Sequence, residues 1–225
     1  MKVYHGSYTE IDEIDLNFCE VGKDFGRCFY VTNLYKQAEI WAKRKGKFNR
    51  TTGIVTEFDF NENIPKIMKL NVLKFVEYND EWLEFVVLNR LNERDQQAHD
   101  YDIIEGPVAD DKVAEQIDDY IAGSLSQKDF LNDLVYNPSH QICFCTIQSL
   151  QALQLSKEKI DRAKRLIDKG ILQALITDYG INEMSATDKY YTSKTYTQLA
   201  DETTQFYKKD WCEIYELLKQ ELKFR

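Results

Sequence analysis

The sequence predicts an α+β body followed by a small all-helical unit. Short alternating apolar and polar runs stand between helical stretches up to about residue 155. Beyond that point only the helical spacing remains, as at Ile160, Ala163, Leu166, Ile167, Leu172 and Leu175. The 225 residues are 43% hydrophobic and 13% aromatic, enough apolar surface for one large domain or two small ones.

Val3 and Tyr4 open the chain as a short strand that runs into His5, Gly6 and Ser7. Residues 28–32 read as a second strand after a loop carrying Gly22 and Gly26. Asn33 is placed to cap a helix over 34–45, with Ala38 and Trp41 on its inner face. Residues 53–60 alternate as a half-buried strand does, and 70–75 form another. Asp80 starts a helix with Trp82, Phe85, Val86 and Asn89 on one stripe. A strand over 101–105 ends at Gly106 and Pro107, and 110–122 and 126–136 read as helices. Residues 141–146 form the last strand, and 148–153 a short helical turn. Helices are then expected over 157–179, 186–193, 196–199 and 211–224, with no further strand. The change of character near Ser156, without a low-complexity linker, divides the chain into 1–155 and 156–225.

The net charge of -9 argues against general affinity for nucleic acid or anionic membranes. The basic run from Lys43 to Lys47 reads as the solvated end of a helix. No stretch approaches the roughly 18 apolar residues of a membrane span, and the start carries no apolar leader, so a cytoplasmic location is expected. Five cysteines occur without CxxC spacing, which predicts free thiols in a reducing compartment. A zinc site would need more ligands, and the three histidines are scattered in sequence. Asp110 and Asp111 are adjacent at a helix start, where acids favour the helix dipole; no metal is expected there.

Three pieces stand in order: Tyr4-His5-Gly6-Ser7, then Phe25-Gly26-Arg27-Cys28-Phe29-Tyr30-Val31-Thr32, then the helix with Ala38 and Trp41. This set resembles the ADP-ribosyltransferase superfamily, on the branch of diphtheria toxin and the poly(ADP-ribose) polymerases. It also looks like a bacterial family of that superfamily, in which a later Gly-Pro-Val-Ala-Asp-Asp stretch recurs, here at 106–111. The resemblance covers about residues 1–155. It implies a split β-sandwich with flanking helices that binds NAD as a substrate. It implies a mono-ADP-ribosyltransferase, a transferase of the glycosyltransferase class, acting as a bacterial toxin or defence effector on a protein or nucleic acid. The toxin implication leaves open whether an antitoxin partner exists; no membrane partner is expected.

The residue chemistry is compatible with that implication. Glycine at position 6 lets a ligand amide approach the backbone closely. A neutral His5 can hydrogen-bond a ribose hydroxyl, and Ser7 the nicotinamide amide. Tyr30 and Trp41 would close the two faces of the nicotinamide ring. Bond cleavage would pass through an oxocarbenium-like ribose that the protein positions and stabilises. The resemblance implies a glutamate at the head of the late strand, but Gln141 stands there, and an amide takes no proton at neutral pH. Glu105 is the nearest candidate carboxylate, and His140 a candidate acid or base. The other open readings are an NAD-binding module without transfer and a structural adaptor whose helical tail does the work. Residues 177–222 resemble a small bacterial domain found alongside this transferase family; Tyr190, Tyr191, Tyr196, Tyr207 and Trp211 give it an aromatic core or a docking surface.

Overall fold

The computed structural model describes residues 1–92, 96–109, 111–133 and 139–222. It is an α+β structure that divides into two compact units, Met1–Gln154 and Leu155–Arg225. Up to the boundary the chain runs β1 (Lys2–Ser7), β2 (Phe29–Val31), α1 (Tyr35–Phe48), β3 (Ile54–Phe60), α2 (Ile64–Ile67), β4 (Val72–Lys74), α3 (Asp80–Arg90), β5 (Ile103–Gly106), α4 (Asp111–Ile121), α5 (Gln127–Asp133), β6 (Gln141–Phe144), α6 (Ile147–Leu150) and β7 (Leu153–Leu155), whose last residue is the first of the second unit. Asp110, half of the acidic pair, lies outside the described residues.

The strands form two sheets, ordered β1-β3-β7 and β2-β6-β5-β4. Between β1 and β2 the pairing is the single antiparallel bridge of Tyr4 with Thr32. The inner faces meet through aromatic side chains: Phe29 on Phe58 at 5.6 Å and Phe60 on Phe144 at 5.2 Å, both edge to face. Thr56, Phe58 and Phe60 are the buried alternate residues of β3, as the period-two pattern requires. On the outer side of the second sheet, Ile104 and Cys143 pack with Phe25, Trp82, Val86, Ile117 and Phe130 in the main apolar core.

Helix α1 covers the outer face of β1 and β3 through a stripe of small residues, Ala38, Ala42 and Gly46. The approach is so close that a Cβ on Gly6 would lie 2.2 Å from the Ala38 carbonyl oxygen. The stripe steps by four, so Trp41 falls outside it and is 39% exposed rather than on the inner face. Nor does Asn33 cap α1: Leu34 occupies the cap, and its N–H donates to the Thr32 hydroxyl at 3.1 Å.

The short helical turn expected over 148–153 is α6, held by a capping box of Thr146 and Ser149, and it ends before 153, where the additional strand β7 begins. The backbone N–H of Asn61 donates to the Ala152 carbonyl beside it. Three strand residues are too few for a periodic signal.

The cysteines are also not all free. Cys28 and Cys145 form a disulfide, while Cys19, Cys143 and Cys212 are thiols. The register that pairs Phe29 with Phe144 brings the preceding and following residues face to face, which cysteine spacing does not reveal.

The second unit contains α7 (Lys157–Tyr179), α8 (Glu183–Tyr191), α9 (Lys194–Ala200) and α10 (Trp211–Leu222). Its core gathers Ile167, Ile171, Leu175, Tyr190, Leu199, Ile214 and Leu218. Leu166, expected in the apolar stripe of α7, is 62% exposed. The Tyr190 hydroxyl donates to Asp168 at 2.8 Å, and that of Tyr215 to Asp178 at 3.0 Å. Among the described residues no helix is long and apolar enough to cross a membrane.

Candidate functional site

His5, Gly6 and Ser7 are the last residues of β1, beside β2. The His5 ring stacks on Phe29 at 4.6 Å, and its Nδ1 is 2.6 Å from the Tyr30 carbonyl oxygen. Burial lowers the imidazole pKa to about 4; the Lys45 charge adds to the shift and the Tyr30 carbonyl opposes it. The ring is therefore neutral at pH 7. The tautomer that donates from Nδ1 leaves Nε2 as an acceptor.

Tyr4 directs its backbone N–H and C=O to Thr32, at 2.7 and 2.9 Å. Strand alternation turns the same two groups of Gly6 to that edge, beyond the single bridge joining the sheets. A donor and an acceptor thus stand side by side next to His5. Ser7 is only 5% exposed, on the same face of β1 as His5.

The other site residues expected from the sequence lie apart from this group. The Tyr30 ring is on the opposite face of β2 from Phe29, packed against the main core. Its hydroxyl donates to the Gly26 carbonyl at 2.8 Å and accepts from the Phe25 N–H at 3.0 Å. Burial pushes the phenol pKa well up. Trp41 stands on α1, beneath the guanidinium of Arg44 at 5.4 Å. Helix α1 covers the face of β1 opposite to His5.

Gln141 heads β6, but β2 lies between β6 and β1. It is 6% exposed. Its amide donates to the Pro107 carbonyl at 3.0 Å and to Asp24 Oδ2 at 3.3 Å. Asp24 also accepts from the Ala109 N–H and pairs with Arg90 at 2.7 Å. Gln141 is thereby a fixed member of a buried polar network.

The structure joins two residues that the sequence offered only singly. His140 Nε2 lies 3.0 Å from Glu105 Oε1, and Lys74 pairs with the other carboxylate oxygen. Together these partners lower the Glu105 pKa to about 2, with His140 the largest cause and burial opposing. Gln37 of α1 grips the His140 backbone, donating to its carbonyl at 2.8 Å and accepting its N–H at 3.1 Å. His140 Nδ1 is buried without a hydrogen-bond partner among the described residues. An imidazole oriented by a carboxylate is a group suited to proton transfer. Glu105 also lines a cavity of about 380 Å³ with Lys66, Lys69, Lys74, Phe60 and Ile103. The sequence separation of 35 between the pair carries no local signal.

Residues 1–155 match the family model described as "Protein of unknown function (DUF3990)". The chain belongs to this family. Comparison with curated proteins and with solved structures found no match. The family covers both sheets and the helices that flank them, and with them the His5 strand end and the Glu105–His140 pair.

Proposed function

We propose that this DUF3990 chain is an NAD-dependent mono-ADP-ribosyltransferase. The observation that carries this reading is the edge of β1 at Gly6, where a backbone donor and acceptor flank a neutral His5. A primary carboxamide such as that of nicotinamide needs one of each, and the His5 Nε2 acceptor suits a ribose hydroxyl. The ordered resemblance of 4–7 and 25–32 to the superfamily supports the same assignment. The acceptor of ADP-ribose is a protein or nucleic acid, and the setting is that of a bacterial toxin or defence effector in the cytoplasm.

A second reading, an NAD-binding module without transfer, is favoured by one observation. The Gln141 amide is already committed to Asp24 and Pro107. Incubation with NAD separates the two. Released nicotinamide with a mass gain on an acceptor supports the enzyme, whereas a raised melting temperature without release supports the module. His5→Ala should weaken NAD binding by about tenfold, the order of one lost hydrogen bond to a buried group. Unchanged affinity in a folded variant would remove His5 from the site.

A further inference from the structure

Cys28 and Cys145 meet at the continuation of the β2–β6 register, and His99 reaches the same place from the segment before β5. One ligand atom from each lies within 4.8 Å of the others. Two sulfurs and an imidazole nitrogen form a donor set that suits zinc.

A second observation lies beside His99. Asn89 is fully buried, and its Oδ1 has no hydrogen-bond partner among the described residues. That oxygen lies 2.8 Å from the position a Cβ on Gly26 would take, and His99 Nε2 lies 3.5 Å from the same position. A buried carbonyl oxygen without a donor is destabilising, and a cation is a partner that would satisfy it. Gln97 adds a further contact, its amide donating to Cys28 Sγ at 3.6 Å.

We propose that Cys28, Cys145 and His99 bind one Zn²⁺ when the disulfide is reduced, with Asn89 Oδ1 completing the set. The chemistry takes two steps. A dithiol reductant delivers two electrons and two protons to the Cys28–Cys145 bond, is itself oxidised to a disulfide, and leaves two protein thiols. Zn²⁺ then forms two Zn–S bonds as the two thiol protons pass to solvent. The His99 proton moves to Nδ1, so that Nε2 gives up its 3.1 Å contact with the Phe25 carbonyl and ligates; the 3.2 Å bond from the Tyr101 N–H to Nδ1 is lost. Disulfide and metal therefore exclude one another. Either one ties the loop that carries Phe25 and Gly26 to the end of β6. This inference does not depend on the NAD reading.

The test uses the full chain, reduced with a phosphine under anaerobic conditions and titrated with Co²⁺ as a probe for zinc. One equivalent should give thiolate-to-cobalt charge-transfer bands, which added Zn²⁺ bleaches. The oxidised protein should give none. Cys28→Ser should abolish the bands, and His99→Ala should weaken binding by more than about tenfold, the loss that even an outer-shell partner causes. No band in the reduced wild type would overturn the proposal. So would an undiminished band in Cys28→Ser, because another thiol would then hold the metal. If Cys28→Ser fails to fold, Cys145→Ser takes its place, and equal spectra of oxidised and reduced wild type overturn the site without any variant.

Discussion

Glu105 is held ionised by His140 and Lys74 at once. Its pKa falls from 4.5 to about 2 in the folded state. A carboxylate lowered in this way contributes stability that is fully present above about 4.5 and is lost as pH falls toward 2. Glu105→Gln should cost roughly 1.5–3 kcal/mol at pH 7, the range for hydrogen bonds to charged groups. Its stability should then fall less steeply than the wild type's between pH 4.5 and 2. Denaturant melts across that range check this, and parallel curves would show that the pair contributes nothing. Gln141 gives a second expectation at the same scale. Glutamate there would set a carboxylate against Asp24 and the Pro107 carbonyl, where an amide now donates to both. Gln141→Glu should therefore destabilise the fold by roughly 3–5 kcal/mol, as uncompensated buried charges do. Higher NAD turnover at undiminished stability would show instead that position 141 faces the ligand.

At the scale of elements, the seam between α1 and the β1–β3 pair is set by backbone rather than side chains. A Cβ on Gly6 would lie 2.2 Å from Ala38 O and 2.8 Å from Ala42 N, and one on Gly53 2.1 Å from Ala42 O. Neither neighbour can turn aside as a rotamer would. Gly6→Ala should cost roughly 1–3 kcal/mol or more by overpacking. An unchanged melting temperature would show that α1 can lift from the sheet freely. This seam also explains what the sequence could and could not disclose. The alternation of 53–60 and the stripe of Trp82, Val86 and Asn89 are one-dimensional patterns, and the structure keeps both. Trp41 misled because apolar character favours the inner face, whereas the contact of α1 with β1 admits only small residues. The strand β7 was hidden by its length. Neighbours in the sequence, such as His5 and Gly6 of the candidate site, are readable as a local pattern. Groupings built by distant elements, as of Glu105 with His140 or of Cys28 with Cys145 and His99, leave no local pattern in the sequence.

At the scale of the whole molecule, the disulfide lies within the first unit and joins residues 117 apart. In the chain-entropy account a closed loop near 100 residues restricts the unfolded chain by about 4.7 kcal/mol, and measured effects are usually nearer 2–4. Reduction should therefore weaken the body of two sheets. The helical unit has its own apolar core, built on Ile171, Leu175, Tyr190 and Ile214, and its one cysteine, Cys212, is already a thiol. Amide hydrogen exchange on the metal-free protein, with and without a phosphine reductant, resolves the two regions. Protection should drop in β2, β6 and the helices packed on them, and stay unchanged from α7 to α10. A uniform loss across the whole chain would mean that the units unfold as one. No loss in β2 and β6 would mean that the β2–β6 ladder and the apolar core around Phe25 and Ile104 hold the body without the covalent link.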